Sequence, residues 1–137
     1  MIGQREHKFF DVAKAMAKLS TWSEEPREQI GAIIVLRNEV IATGYNRRKT
    51  SPIQAYWASK AGRPEAIFTH AEMSALNHIG SPNWNPNIAK IFIYRETKIG
   101  LGIAKPCEIC TMALKAFNIR HIYYTTDSGY GYEQFVN

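Results

Sequence analysis

With 137 residues, 45% of them hydrophobic, and a formal charge of +5, the chain has the size and apolar content of one ordinary domain with a real core. Its nine glycines and six prolines are too few for a fibrous or disordered chain, and no apolar run approaches the length that crosses a bilayer. Two cysteines make no disulfide framework, and the positive charge leans toward anionic partners, phosphorylated small molecules or nucleic acid.

The first stretch, MIGQREHKFFDVAK, is charged and has no apolar block of the secretion-signal kind, which predicts a soluble cytoplasmic protein. Residues 5–19 read as an amphipathic helix, with Phe9, Val12, Ala13 and Met16 on its apolar side and Lys14 and Lys18 on the wet side. QIGAIIVL (29–36) is nearly all apolar and rich in β-branched residues, which predicts a strand buried on both faces. RNE turns the chain, and VIATG (40–44) returns as a hairpin partner. The long connection over 45–69 is expected to hide a short helix, capped by Ser51, begun by Pro52 and stopped by Gly62.

A helix over 70–79 opens with His70, SPNWNPN breaks the chain, and IAKIFIY (88–94) is a third strand. The glycine-bearing stretch RETKIGLGIAK either extends that strand or folds as a flap over a pocket. Pro106 starts a helix over 107–117, IRHIYYTT (119–126) is a fourth strand, and the turn-rich tail DSGYGYEQFVN is expected to end in a short helix. No internal repeat, linker or low-complexity segment interrupts the run. The order α-β-β-α-β-α-β predicts a hairpin followed by parallel crossovers. The fold class is therefore α/β, a mixed sheet of about five strands covered on both sides, in a single domain over 1–137.

Cys107 and Cys110 are three apart at a helix start, which puts both sulfurs on one side of the first turn. Free N–H groups and the positive end of the helix dipole favour thiolate there, the form that binds zinc. His70 also begins a helix, so its imidazole can project toward the same point. A catalytic zinc with three protein ligands keeps its fourth position for water, whereas a structural zinc fills that position with protein. Two thiolates and a neutral imidazole leave Zn²⁺ with no net charge, and zinc lowers the pKa of bound water to about 7. Glu72, two residues past His70, stands near the ion on another part of the helix, where a proton carrier is needed.

Each residue also has a plainer reading. The cysteines can be a redox pair or two small buried hydrophobes, or share a structural zinc with His70 and His121. Glu72 can be a favourable first-turn acid, and Asn46 a turn residue after a strand. His7 and His78 have no motif around them and are expected to be solvated.

His70-Ala71-Glu72 followed by Pro106-Cys107-Glu108-Ile109-Cys110 resembles the zinc-dependent cytidine and deoxycytidylate deaminase superfamily, whose signature is H-x-E … P-C-x-x-C. GAIIVLRNEVIATGYN resembles that family's first two strands and the asparagine after them, and CTMALKAFNIRHIYY its helix and strand after the second cysteine. The likeness covers about residues 5–126. It implies a three-layer α-β-α fold and one zinc per chain, held by His70, Cys107 and Cys110. It implies Glu72 as catalytic proton shuttle, Asn46 on a sugar hydroxyl, and the Ala71 backbone N–H on the carbonyl of the base. Two departures stand out. Pro106 lies twelve positions after Tyr94, where the family runs almost directly from strand to Pro-Cys turn. The extra Cys/His cluster that many deoxycytidylate deaminases use for a second zinc is missing.

The expected function is a hydrolytic deaminase of a cytosine nucleotide, dCMP to dUMP, with release of ammonia. NRRKT (46–50) is the densest basic run. It is either a solvated loop or, through Arg47, Arg48 and Lys49 together with Arg27 or Arg95, a phosphate contact. Tyr56, Trp57, Tyr130 and Tyr132 either stack on a base or pack on the domain and its neighbours. One rival is a polynucleotide deaminase, acting on adenosine in transfer RNA or cytosine in single strands. Another is a deaminase of a guanine or pterin-type amine, and a third is a zinc-stabilised nucleotide-binding module without turnover. No membrane partner is expected; by analogy with small relatives, a homo-oligomer is.

Overall fold

Four successive side chains of one strand, Ala32 to Val35, are buried, two on each side of a sheet. The computed structural model describes residues 3–20, 28–79, 84–85 and 87–136. Its strands are β1 (Gln29–Leu36), β2 (Glu39–Tyr45), β3 (Ala89–Thr97), β4 (Gly100–Leu101), β5 (His121–Thr126) and β6 (Gly129–Gln134). Its helices are α1 (Gln4–Ala17), α2 (Pro52–Lys60), α3 (Ala71–Leu76) and α4 (Glu108–Ala116). The sheet runs β2-β1-β3-β5-β6, with β4 hydrogen-bonded to β3. Strand β1 is antiparallel to both β2 and β3, β3 is parallel to β5, and β6 returns antiparallel on β5. The β3–β5 pair contains the crossover that a helix between strands predicts.

Period-two alternation divides the core. Ala32, Ile34, Ile91, Ile93 and Ile122 face a layer made by α2, α3 and α4. Ile33, Val35, Phe92 and Tyr94 face α1. This is the expected three-layer arrangement. The hairpin from β1 to β2 turns on Arg37 and Asn38, both with positive φ (52° and 65°), the backbone of a type I′ turn. The concealed helix is present as α2: Ser51 Oγ accepts from Gln54 N at 3.3 Å, Pro52 is its first residue, and Gly62 follows it with φ +73°.

Three expectations need correction. The buried stripe of α1 is Phe9, Phe10, Ala13 and Ala17, and Val12 and Met16 lie at its margin. The reason is Gly31 in β1: a Cβ there would fall 2.2 Å from the Ala13 carbonyl oxygen and 2.4 Å from Ala17 N. The helix backbone rests on that glycine and centres its contact on the two alanines. Helix α3 ends at Leu76, not residue 79, because Asn77 caps it and tight turns to Ala75 and Leu76 carbonyls follow. Of the two alternatives for the stretch after residue 94, the strand extension is present: β3 continues to Thr97 and turns back as β4 against it, and the residues after β4 line the cavity described below. The tail forms β6 instead of a helix. GYGYEQ alternates with period two, and Tyr130 and Tyr132 pair with Thr125 and Tyr123 across the ladder. Part of SPNWNPN lies outside the described residues.

Candidate metal centre and its cavity

Three donor atoms converge at the ends of two helices. Cys107 is the N-cap of α4 and Cys110 sits in its first turn; His70 is the N-cap of α3. The Nδ1 of His70 lies 3.6 Å from Cys107 Sγ and 3.3 Å from Cys110 Sγ, and all three donors fall within 4.8 Å of one another. Zinc bonded tetrahedrally at about 2.3 Å to sulfur and about 2.0 Å to nitrogen holds such atoms about 3.5 Å apart. The donor set therefore fits zinc in both chemistry and spacing. No fourth protein donor belongs to the group among the described residues. His121 stands elsewhere, its Nδ1 2.6 Å from the Tyr132 hydroxyl, and the structural Cys₂His₂ arrangement with His121 is not formed.

The three donors also distort one another's titration. The Cys110 thiol donates to Cys107 and, with His70, draws the Cys107 pKa down to about 4 against the cost of burial. Cys110 is raised by the same hydrogen bond and by burial. His70 is raised chiefly by its hydrogen bond with Cys107. Without a cation both Cys110 and His70 hold a proton more firmly than a free thiol or imidazole does, and an ion that enters must expel whatever protons they retain.

Glu72 is 6% exposed, and burial raises its pKa, with the charge of His70 opposing. A carboxyl moved toward neutrality can both accept and donate a proton at working pH. Glu72, His70 and Cys107 together line a cavity of about 350 Å³, which is within the range of small-molecule sites.

Of the other candidates, Asn46 lines this cavity and is buried. Its side chain is already engaged: Oδ1 accepts from Ile30 N at 3.0 Å and Nδ2 donates to the Glu28 carbonyl at 3.2 Å. One amide hydrogen remains to face the cavity. Ala71 is fully buried between two lining residues, His70 and Glu72, in the first turn of α3. Arg27 lies outside the described residues. Arg47, Arg48 and Lys49 are not among the lining residues. Arg47 lies over the Tyr45 ring at 5.7 Å, and Arg48 over the Phe68 ring at 5.2 Å. Phe68 does line the cavity, so Arg48 touches a lining side chain without lining the cavity itself. The backbone of this loop also anchors the approach to His70, since the preceding residue, Thr69, bonds to Lys49 O through both its N–H and its hydroxyl.

Among the described residues, the Arg and Lys side chains that line the cavity are Arg95 and Lys105, both from the 95–105 insertion. Arg95 pairs with Glu28, another lining residue, and donates to the Ile103 carbonyl at 3.0 Å. Lys105 pairs with Glu133 at 3.0 Å in an exposed contact. The insertion is stapled to β5 by Thr125, whose hydroxyl donates to Gly102 O and whose carbonyl accepts from Ala104 N. Sequence reasoning missed Glu28 and Lys105. Each stands next to a recognisable element, β1 or the Pro-Cys turn, but only the tertiary fold aims them at one space. Of the four aromatics considered for base stacking none lines the cavity; Trp57 and Tyr130 pack on the domain, while Tyr56 and Tyr132 stay exposed. Tyr56 meets Trp57 edge to face; Tyr130 lies against Phe10 and Tyr132 against Tyr123, on the sheet face covered by α1.

A family model described as the cytidine and deoxycytidylate deaminase zinc-binding region matches residues 4–126. No curated protein matches the chain in sequence. Among solved structures, the dCMP deaminase of cyanophage S-TIM5 is similar with a TM-score of 0.61 at 18% identity, covering 92% of this chain and 86% of that one. A cytidine deaminase from Burkholderia pseudomallei gives a TM-score of 0.63 at 17% identity, covering 97% and 93%. A structure from work on A-to-I editing by tRNA:A34 deaminases gives 0.52 at 22%, covering 93% and 82%. At these identities the structural likenesses speak to the fold.

Proposed function

The chain belongs to the cytidine and deoxycytidylate deaminase zinc-binding family, and from that premise we propose that it deaminates a cytosine nucleotide, dCMP to dUMP. It is a zinc-dependent hydrolytic deaminase; the finer reading concerns its substrate and the residues that serve it. The observation that carries the proposal is the cluster of His70, Cys107 and Cys110 at one end of a cavity that Glu72 also lines.

In this reading His70, Cys107 and Cys110 hold the zinc. When bound, the ion supplies Lewis-acid activation, lowering the pKa of a water molecule to about 7. Glu72 takes a proton from the attacking water and passes it to N3 of the ring as the C4–O bond forms. It then delivers the second proton of that water to the exocyclic nitrogen. The C4–N bond breaks, and ammonia leaves with the electron pair. The Ala71 N–H meets the carbonyl of the base, and the remaining amide hydrogen of Asn46 meets a sugar hydroxyl. Apolar walls from Ile93 and Ala104 keep bulk water from the carboxyl.

The phosphate reading draws on Arg48, which lies over the lining residue Phe68, with Arg47 and Lys49 beside it in sequence and Arg27 as the fourth member of the set. Lys105 is better placed than these, since it lines the cavity and its exposed pair with Glu133 is weak enough for a phosphate to displace. We read the whole chain as one domain working in a reducing compartment, where both thiols stay ready for metal, and as a homo-oligomer. No helix of the described residues is long and apolar enough to cross a membrane.

The rival reading, a polynucleotide substrate, uses the same cations. Ammonia release from deoxycytidine, dCMP and a cytosine-containing oligonucleotide, each at two salt concentrations, separates the two. The proposal expects dCMP to be favoured, with a shallow salt dependence. Preference for the strand, with KM rising steeply as salt increases, would favour the rival.

A further inference from the structure

Gln54 is a buried glutamine for which the proposed chemistry has no use. It occupies the third position of α2, and Ser51 and Gln54 have the spacing of a capping box, in which such a glutamine reaches back to the N-cap N–H. Half of the box is present, since Gln54 N donates to Ser51 Oγ. The side chain is spent elsewhere. Its Nε2 donates to the Ala66 carbonyl at 2.8 Å, and its Oε1 accepts the backbone N–H of His70 at 3.1 Å.

That second bond matters because His70 is an N-cap. The N–H groups at a helix start have no partner inside the helix, and the segment before His70 is irregular apart from an isolated bridge between Thr50 and Phe68. The carbonyl of His70 is fixed by Ser74 N at 3.0 Å. Its N–H is fixed by a side chain from another helix. Helix α2 also packs on α4, which holds the cysteines. One rigid element therefore touches both halves of the metal-binding set.

We propose that Gln54 is a positioning residue for the metal centre, holding the His70 main chain so that Nδ1 meets the two sulfurs without searching. The proposal rests on the zinc-centre reading given above. Outer partners of metal ligands commonly change metal affinity by about 10- to 100-fold when removed. Here the outer partner grips the ligand's backbone rather than its ring.

The test is the first-order rate of zinc release from the loaded protein into excess chromophoric chelator. Gln54→Asn keeps a buried amide but is too short to reach His70 N, and is expected to release zinc about tenfold faster than the unsubstituted protein. Gln54→Glu keeps the acceptor for His70 N and, held neutral by burial, can still donate to the Ala66 carbonyl, so it is expected to stay within about threefold. Ala55→Gly, at an exposed position of the same helix, weakens α2 by propensity alone and is expected to lower Tm with release unchanged. With cobalt in place of zinc, the visible bands of Gln54→Asn should shift while those of Ala55→Gly do not. Release from Gln54→Asn at the unsubstituted rate, or equal acceleration by Ala55→Gly, overturns the inference. If Gln54→Asn does not fold, Gln54→Glu decides, and tenfold acceleration there overturns it. An unsubstituted protein that takes up no zinc overturns the underlying reading instead, so the two failures are distinct.

Discussion

In the proposed reading Glu72 and the three metal-ligand residues carry the chemistry, and their environment makes definite demands. Changing Glu72→Gln preserves size and hydrogen bonding but removes the proton carrier. Turnover is expected to fall by at least about 10²-fold, with zinc content unchanged; metal analysis beside an ammonia assay measures both. The pH dependence of zinc binding follows from the raised pKa values of His70 and Cys110. Both are protonated in the cation-free cluster below their raised pKa values, and zinc binds their deprotonated forms. Apparent zinc affinity should therefore rise with pH. Up to two protons should be released per ion below the raised pKa of His70, falling toward one above it while Cys110 stays protonated. A chelator competition at several pH values reads the slope, and a flat profile would contradict the proton distribution. This centre was legible in the sequence because His-x-Glu and Cys-x-x-Cys each sit within one helical turn, where spacing alone dictates geometry. Gln54, Glu28 and Lys105 were not, because their partners lie far along the chain. The capping-box spacing even points Gln54 in the wrong direction.

At the scale of elements, two glycines on neighbouring strands let a helix approach each side of the sheet. Gly31 admits the backbone of α1. Gly44 of β2 admits α3: a Cβ there would fall 2.4 Å from Ala75 N and 2.8 Å from the Ala71 carbonyl. Both substitutions to alanine force backbone apart and are expected to cost about 1–3 kcal/mol of stability. Their effects on activity should differ. Gly44→Ala pushes on the helix that begins at His70 and contains Glu72, so activity should fall in the folded protein. Gly31→Ala pushes on α1, across the sheet, and the folded fraction should keep its activity. Denaturant unfolding together with kcat on folded material separates the two, and equal loss of kcat would contradict the division into layers. β1 was legible to the residue because its sequence is nearly all apolar and rich in β-branched residues. The ends of α3 and the nature of the tail were harder. Tight turns after Asn77 close a short helix early, and the tyrosines of β6 find their strand only by pairing with β5.

Among the described residues the molecule is a sheet with one helix on one face and three on the other, and the cavity lies on the three-helix side, where α3 and α4 begin. The layers were foreseeable from the order of elements. The route of the 95–105 insertion was not, because it depends on Thr125 and Arg95 stapling it across β5 and β3. That insertion leads directly into Cys107 and supplies two cations to the cavity wall, so it joins the cavity lining to the metal-ligand cluster in one segment. The most direct test of the account is turnover of dCMP by one preparation, measured as isolated, after zinc removal, and after zinc is returned. Ammonia and dUMP should form in equal amounts, cease on removal, and resume on return. Zinc bound at one ion per chain with no ammonia from dCMP, deoxycytidine or a cytosine-containing strand would contradict it.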